Sequence, residues 1–371
     1  MKAVDEFVKE LKELGLDVHI GGSYAKNTHL ENDFDVDLFV KFPIEDKGKD
    51  ISKILEEKLK KFKYERLKGS RDYFRVEKNK HIFEIVPVLE VNEKAENITD
   101  YSLDHVEWVN ENVRNKDDVR KLKLFLKANK LYGAESHIQG FSGYVCEILI
   151  AYYKTFDNLI RKASKWKKNK VVDINKFYEN IGDVYNSLNQ EKIGKLIVID
   201  PTDKDRNTVS ALSDKNYFKF IKLSKDYLEN PKEKFFEKKE FNIKKIRTKK
   251  NEKLIYFTKK IGNVKRDGAK VMKVYNQIKK LLERNEFKIE KSEFEVLDKG
   301  YIWFVIKEEE LSEKVKHYGP SVRDKANLES FKKKWKNIEE ENGKVYTYAD
   351  REFKNIKEIE KYIKKEFELK R

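Results

Sequence analysis

Two carboxylates, Asp35 and Asp37, stand two residues apart in a run from Asp33 to Lys41 where Phe34, Val36, Leu38 and Val40 alternate with acids. That period predicts a half-buried strand, so both acids project from one face. Paired oxygen donors suit hard cations such as Mg²⁺, and two such ions can stabilise the attacking and leaving oxygens of a transfer at phosphorus. Asp33 shares the face but lies nearer the turn, and reads as a solvated or outer-sphere acid. Alone, the spacing says little, because acids at alternate strand positions commonly just face water. Two features add to it. Upstream, Gly22-Ser23 is a turn whose backbone N–H groups and hydroxyl can cradle phosphate where a helix starts. Downstream, Glu84 stands in the apolar run Ile82 to Val88, where a carboxylate is costly to bury unless paired with a lysine, hydrogen-bonded or bound to metal.

These residues need elements to hold them. Val4, Phe7, Val8, Leu11 and Leu14 recur at helical spacing, a short strand follows at Val18 to Ile20, and the Gly21-Gly22-Ser23-Tyr24 turn can open another helix. A helix near Ile51 to Phe62 and strands at Tyr73 to Glu77 and His81 to Val88 complete a small α/β unit. From Asp100 to Tyr153 the pattern is helical. Val119, Leu122, Phe125 and Leu126 form one stripe, while Tyr144 to Tyr152 is apolar nearly all round and should be buried. Leu196 to Asp200 reads as a strand ending in a turn at Pro201, and Tyr217 to Leu228 as a helix. The polar, basic stretch Pro231 to Lys253 marks a boundary or linker. Beyond it, strands near Leu254 to Phe257, Phe287 to Val296, Ile302 to Ile306 and Val345 to Tyr348 alternate with helices at Ala269 to Leu282, Leu328 to Trp335 and Ile356 to Phe367. The order is that of a multidomain α+β protein.

Composition supports the same picture. At 371 residues, 39% hydrophobic and 12% aromatic, the chain can bury several cores despite 40% charged residues, which argues against wholesale disorder. A net charge of +16 favours polyanionic partners but names no reaction. The basic segments Arg161 to Lys170 and Lys244 to Lys253 can contribute to such binding, or be solvated surface. The single cysteine, Cys146, excludes an internal disulfide. The first residues lack the apolar core of a signal peptide, and no stretch is apolar enough to span a bilayer. A cytoplasmic protein is expected.

A Gly-Ser turn followed closely by a strand with two acids resembles the signature of the polymerase-β-type nucleotidyltransferase superfamily. More specifically, Gly22 to Thr28, Phe125 to Asn129, Tyr132 to Glu135, Gly140 to Tyr144, Asp200-Pro201 and Arg206-Asn207 resemble, in order, the archaeal (class I) CCA-adding enzymes. The resemblance is clear from about Gly21 to Leu228, looser through Tyr318-Gly319-Pro320, and fades near the C-terminus. It implies a nucleotidyltransferase head (1–98, a mixed sheet with helices), a helical neck completing the nucleotide pocket (99–230), an α+β body (231–312) and a tRNA-binding tail (313–371). It also implies addition of C, C and A to the 3′ end of tRNA from CTP and ATP, with tRNA held by its acceptor arm.

By the same resemblance Asp35, Asp37 and Glu84 are the catalytic residues and bind two Mg²⁺ ions. Gly22, Ser23 and Lys26, joined by Lys123 and Tyr132 from the neck, meet the triphosphate. Ser102 and His105 match pocket positions, and Arg206 matches the residue that reads the incoming base. Similar enzymes include dimers, which leaves a homodimer open. Glu84 stands where the family typically has Asp, and Lys26 where Arg is usual, so charge is kept but reach and hydrogen-bond geometry change. The competing readings are a related enzyme that adds only A or makes a poly(A) or oligoadenylate product, and a non-catalytic tRNA-binding protein.

Overall fold

From its start the chain runs α1 (Lys2–Lys12), β1 (Asp17–Ile20), α2 (Gly22–Ala25), β2 (Val36–Phe42), α3 (Ile51–Leu59), β3 (Tyr64–Leu67), β4 (Tyr73–Lys78) and β5 (His81–Leu89). This computed structural model describes all residues except Met1, Asn32, Asp33, Asn92, Glu93, Lys94, Glu96, Lys239, Asn263, Glu308, Glu309, Glu310, Arg371 and the side chain of Lys265. The acid expected at Asp33 therefore lies outside the described residues. The strands form one mixed sheet in the order β1-β2-β5-β4-β3, with β2 and β5 parallel and the other pairs antiparallel.

Alternation in β2 decides which face carries chemistry. Val36, Leu38 and Val40 point into a core shared with Phe83 and Ile85 of β5, Val4, Phe7 and Leu11 of α1, and Ile51, Leu55 and Leu59 of α3. Asp37 and Phe39 point the other way, as do their parallel partners Glu84 and Val86. The strand starts at Val36, so Asp35 immediately precedes it. β3 had no signature in the sequence, because only Leu67 of its four residues is buried and no alternation results.

The next elements are α4 (Ser102–Asn112), α5 (Lys116–Ala128), α6 (Gly143–Tyr153), α7 (Phe156–Ala163), β6 (Lys170–Val172), α8 (Ile181–Ser187), β7 (Leu196–Asp200), β8 (Asp203–Asn207) and α9 (Asp214–Glu229). The stripe Val119, Leu122, Phe125 and Leu126 enters a core with Val145, Ile148 and Leu149 of α6, Phe156 and Ile160 of α7, and Tyr217 and Phe220 of α9. α6 is buried from Val145 to Ala151, as its all-round apolar character requires, and that span includes Glu147. The ends of these helices are capped by side chains: Asn115 accepts from Asp118 N, Ser142 from Val145 N, and Ser213 from Asn216 N. Among the described residues, no helix is long and apolar enough to cross a membrane.

Residues 1–239 form one unit and residues 240–371 another. In the second unit β9 (Glu252–Lys260), α10 (Val264–Arg284), β10 (Ile289–Val296), β11 (Lys299–Lys307), β12 (Lys314–Ser321), α11 (Lys325–Lys334), β13 (Glu339–Glu341), β14 (Lys344–Asp350) and α12 (Ile356–Glu366) follow. One antiparallel sheet is ordered β10-β11-β9, the other β12-β14-β13. Ile359 and Ile363 of α12 pack in the core of the first sheet beside Phe257 of β9 and Phe304 of β11, so the last helix returns to strands laid down well before it. β12 contains Gly319-Pro320, which reads locally as a turn. It is an edge strand with a register break between Tyr318 and Ser321, a place where proline's missing donor is tolerated.

Candidate active site

The turn before the acidic strand is built flat against it. Gly21 N donates to the Asp37 carbonyl at 2.8 Å, and Gly22 adopts φ +58° as α2 begins. A Cβ on Gly22 would lie 1.6 Å from Asp37 Oδ2, so only glycine admits both the left-handed backbone and the neighbouring carboxylate. Ser23 follows on the same short helix. Across the parallel ladder Asp37 is in register with Glu84, whose antiparallel neighbour on the other side is Arg75. Asp37 and Glu84 therefore sit side by side on one face, with a guanidinium-bearing residue next in line, and Asp35 lies at the strand entrance. Among the described residues, no group of three His, Cys, Asp or Glu side chains stands assembled as a metal site. The donor chemistry nonetheless fits a hard divalent cation, being carboxylate oxygen throughout, beside a cradle that a Cβ would fill.

Lys26 closes α2 and turns inward. Its ammonium donates to Glu147 Oε2 at 3.0 Å and lies 4.9 Å from the centre of the Tyr144 ring. Thr28 Oγ1 donates to Glu147 Oε1 at 2.5 Å. Lys123, only 1% exposed, reaches Thr28 O at 2.8 Å and Oγ1 at 3.1 Å, and its ammonium is 3.5 Å from Glu147 Oε1. Two lysines thus share one buried carboxylate. Burial by itself would raise the Glu147 pKa, but the Lys26 and Lys123 charges and the Thr28 hydroxyl outweigh it and hold the carboxyl below its ordinary value. Burial pushes the Lys123 ammonium pKa down, with Glu147 opposing. The Tyr132 hydroxyl and the Lys123 ammonium both approach Gly143, at 3.1 and 3.6 Å from where a Cβ would stand. Arg120 clasps the same loop, donating to Asn27 O at 2.6 Å and His29 O at 3.2 Å.

A second buried carboxylate, Asp200 at the end of β7, collects the remaining candidates. Arg206 Nη1 donates to its Oδ2 at 2.6 Å, and His105 Nε2 is 3.2 Å from the same oxygen. The Tyr144 hydroxyl donates to Oδ1 at 2.9 Å. Burial would raise the Asp200 pKa, yet His105 and Arg206 hold it far below the carboxylate range. Burial lowers the His105 pKa. The His105 and Tyr144 rings stack at 4.1 Å, so this cluster adjoins Lys26. Ser102 opens α4, one turn ahead of His105.

The structure thus gathers the sequence-derived candidates into three neighbouring groups. Gly22, Ser23, Asp35, Asp37 and Glu84 belong to the sheet face and its turn, Lys26 and Lys123 meet at Glu147 with Tyr132 beside Lys123 at Gly143, and His105, one turn after Ser102, meets Arg206 at Asp200. Lys26 and Lys123 are enclosed rather than presented to solvent, which the sequence did not indicate. Glu147, Tyr144 and Asp200 were missed as site residues. The signal for Glu147 existed, because a carboxylate inside an all-round apolar helix needs a cation just as Glu84 does.

Comparison with known proteins completes this picture. Residues 1–100 match the nucleotidyltransferase domain family model, residues 117–237 the second domain of tRNA nucleotidyltransferase, and residues 269–369 the C-terminal domain of the CCA-adding enzyme. The chain is 37% identical over 365 residues to a CCA-adding enzyme of Nanoarchaeum equitans, covering 95% of this chain and 89% of that relative. It is 31% identical over 380 positions to the CCA-adding enzyme of Methanocaldococcus jannaschii, covering 96% and 83%. A solved structure of the Cid1 poly(U) polymerase superposes with TM-score 0.50 at 13% identity, over 64% of this chain and 93% of that one, which shows a shared fold. Similarity continues to residue 369, beyond where the motifs fade. With these three domain models matched in order and relatives alike along nearly the whole chain, the chain belongs to the archaeal CCA-adding enzymes.

Proposed function

We propose that this protein adds C, C and A in turn to the 3′ end of tRNA, using CTP and ATP and no nucleic-acid template. The observation that carries the chemistry is the Gly22 turn packed onto Asp37 with Glu84 in register beside it. Asp35, Asp37 and Glu84 would hold two Mg²⁺ ions, which supply charge stabilisation at the attacking and leaving oxygens. Backbone N–H groups at Gly22 and Ser23 receive phosphate at the start of the short α2 turn. Lys26, Lys123 and Tyr132 serve the triphosphate. Their two ammoniums meet at the buried Glu147 carboxylate. Ser102, His105 and Arg206 serve the nucleoside end, where a guanidinium suits base edges. The RNA 3′-hydroxyl attacks the α-phosphorus in line, a new P–O bond forms, and pyrophosphate leaves.

Residues 1–98 act as head, 99–230 as neck, 231–312 as body and 313–371 as tail in this reading, with the acceptor arm recognised by phosphates, 2′-hydroxyls and duplex shape. The single, buried Cys146 suits the cytoplasm. The test is incorporation of each labelled nucleotide into tRNAs ending before CCA, after C and after CC. The expected pattern is C, then C, then one A and arrest. Long homopolymer tails, or A added to the CC end with no C incorporated on the two shorter tRNAs, would assign a related transferase instead.

A further inference from the structure

Asp200 is wholly buried, and its carboxylate meets groups from α4, α6, β8 and the turn that follows it. Its Oδ2 takes Arg206 Nη1 at 2.6 Å and His105 Nε2 at 3.2 Å. Its Oδ1 takes the Tyr144 hydroxyl at 2.9 Å, Thr202 N at 3.0 Å and Thr202 Oγ1 at 2.9 Å. A carboxylate with both oxygens this fully engaged has one orientation, because rotation would break several hydrogen bonds in a dry site. The Arg206 side chain, by contrast, is 29% exposed, and its Nη1 is anchored on Asp200 Oδ2 at 2.6 Å. A long arginine left unheld would spread over many rotamers, and donors that wander discriminate poorly between base edges.

We propose that Asp200 is a specificity-determining positioning residue, which anchors the Arg206 guanidinium and so sets the choice between CTP and ATP. The inference rests on Arg206 reading the incoming base. Asp200 has no exposed surface to offer a nucleotide. It acts through Arg206, while His105 and Tyr144 lock the carboxylate from α4 and α6.

The experiment measures kcat/KM for ATP and for CTP on tRNA ending in CC, with the full chain, for wild type, Asp200→Asn, Arg206→Ala and the double variant. Asp200→Asn is expected to reduce the ATP to CTP preference about 10- to 100-fold, the range of a single well-placed pocket contact. The double variant should match Arg206→Ala alone, because coupled residues are not additive. A merely structural defect would lower both nucleotides alike and leave the ratio untouched. If Arg206→Ala shifts the ratio and Asp200→Asn does not, the inference is overturned while the base-reading role of Arg206 survives. If Arg206→Ala leaves the ratio unchanged, that role fails and takes the inference with it. Should circular dichroism show Asp200→Asn unfolded, Thr202→Val takes its place. It removes one donor from Oδ1 and should shift the ratio in the same direction, and no shift overturns the proposal.

Discussion

Replacing Glu147 with glutamine preserves shape and removes a negative charge that faces two buried ammoniums, at 3.0 Å from Lys26 and 3.5 Å from Lys123. All three side chains are nearly inaccessible, so water cannot take over the lost role. Removing one partner of a buried pair costs about 3–5 kcal/mol, because the surviving charge is left unpaired in a poor solvent. For a unit the size of residues 1–239, each kcal/mol moves the midpoint by about 2–4 °C, so the variant should melt roughly 6–20 °C lower. Differential scanning calorimetry of the full chain at pH 7 measures this. The deficit should narrow as pH rises toward about 10, where lysine deprotonates. Burial already lowers the Lys123 pKa, so the native state gives up its proton before the unfolded state does, and stability then rises with pH. A drop below about 2 °C, constant with pH, would mean that the cluster is hydrated and that its buried charges do not govern stability.

Three other outcomes follow from the same geometry. Gly22→Ala sets a methyl group 1.6 Å from Asp37 Oδ2 at a positive φ, and nucleotide incorporation should fall by roughly 100-fold or more while circular dichroism stays native. Near-normal turnover would show that the turn does not need to meet the acid. Asp35→Asn and Asp37→Asn should each reduce incorporation at least ~100-fold with tRNA binding retained, and unchanged incorporation would remove the metal assignment. Glu147 and Asp200 are both held below their unfolded pKa values near about 4, so their contribution is present above that pH and is lost as pH falls through the lower folded values. Acid titration of the wild type and of Glu147→Gln followed by tryptophan fluorescence should show a shallower acid transition in the variant, and superimposable curves would refute the link.

Much of the molecule was legible locally. Alternation placed Asp37 on the face opposite Val36 and Leu38, and helical periodicity placed Val119, Leu122, Phe125 and Leu126 in a core. The Gly22-Ser23 turn and the motifs through Arg206 pointed to the family that the relatives confirm. Elements with weak burial patterns escaped. β3 keeps most of its side chains exposed, and β12 runs through Gly319-Pro320 at a sheet edge.

Reaction class could be read without coordinates, because the residues that report it lie in short stretches where spacing alone fixes which side of a strand or turn they occupy. Folding in three dimensions decided the charge pairing. The register of β2 on β5 set Asp37 beside Glu84, helix packing delivered Lys26 and Lys123 to Glu147, and β7 brought Asp200 under Arg206, His105 and Tyr144. Periodicity describes one element's own faces, whereas a buried carboxylate takes its partners from whichever elements pack against it.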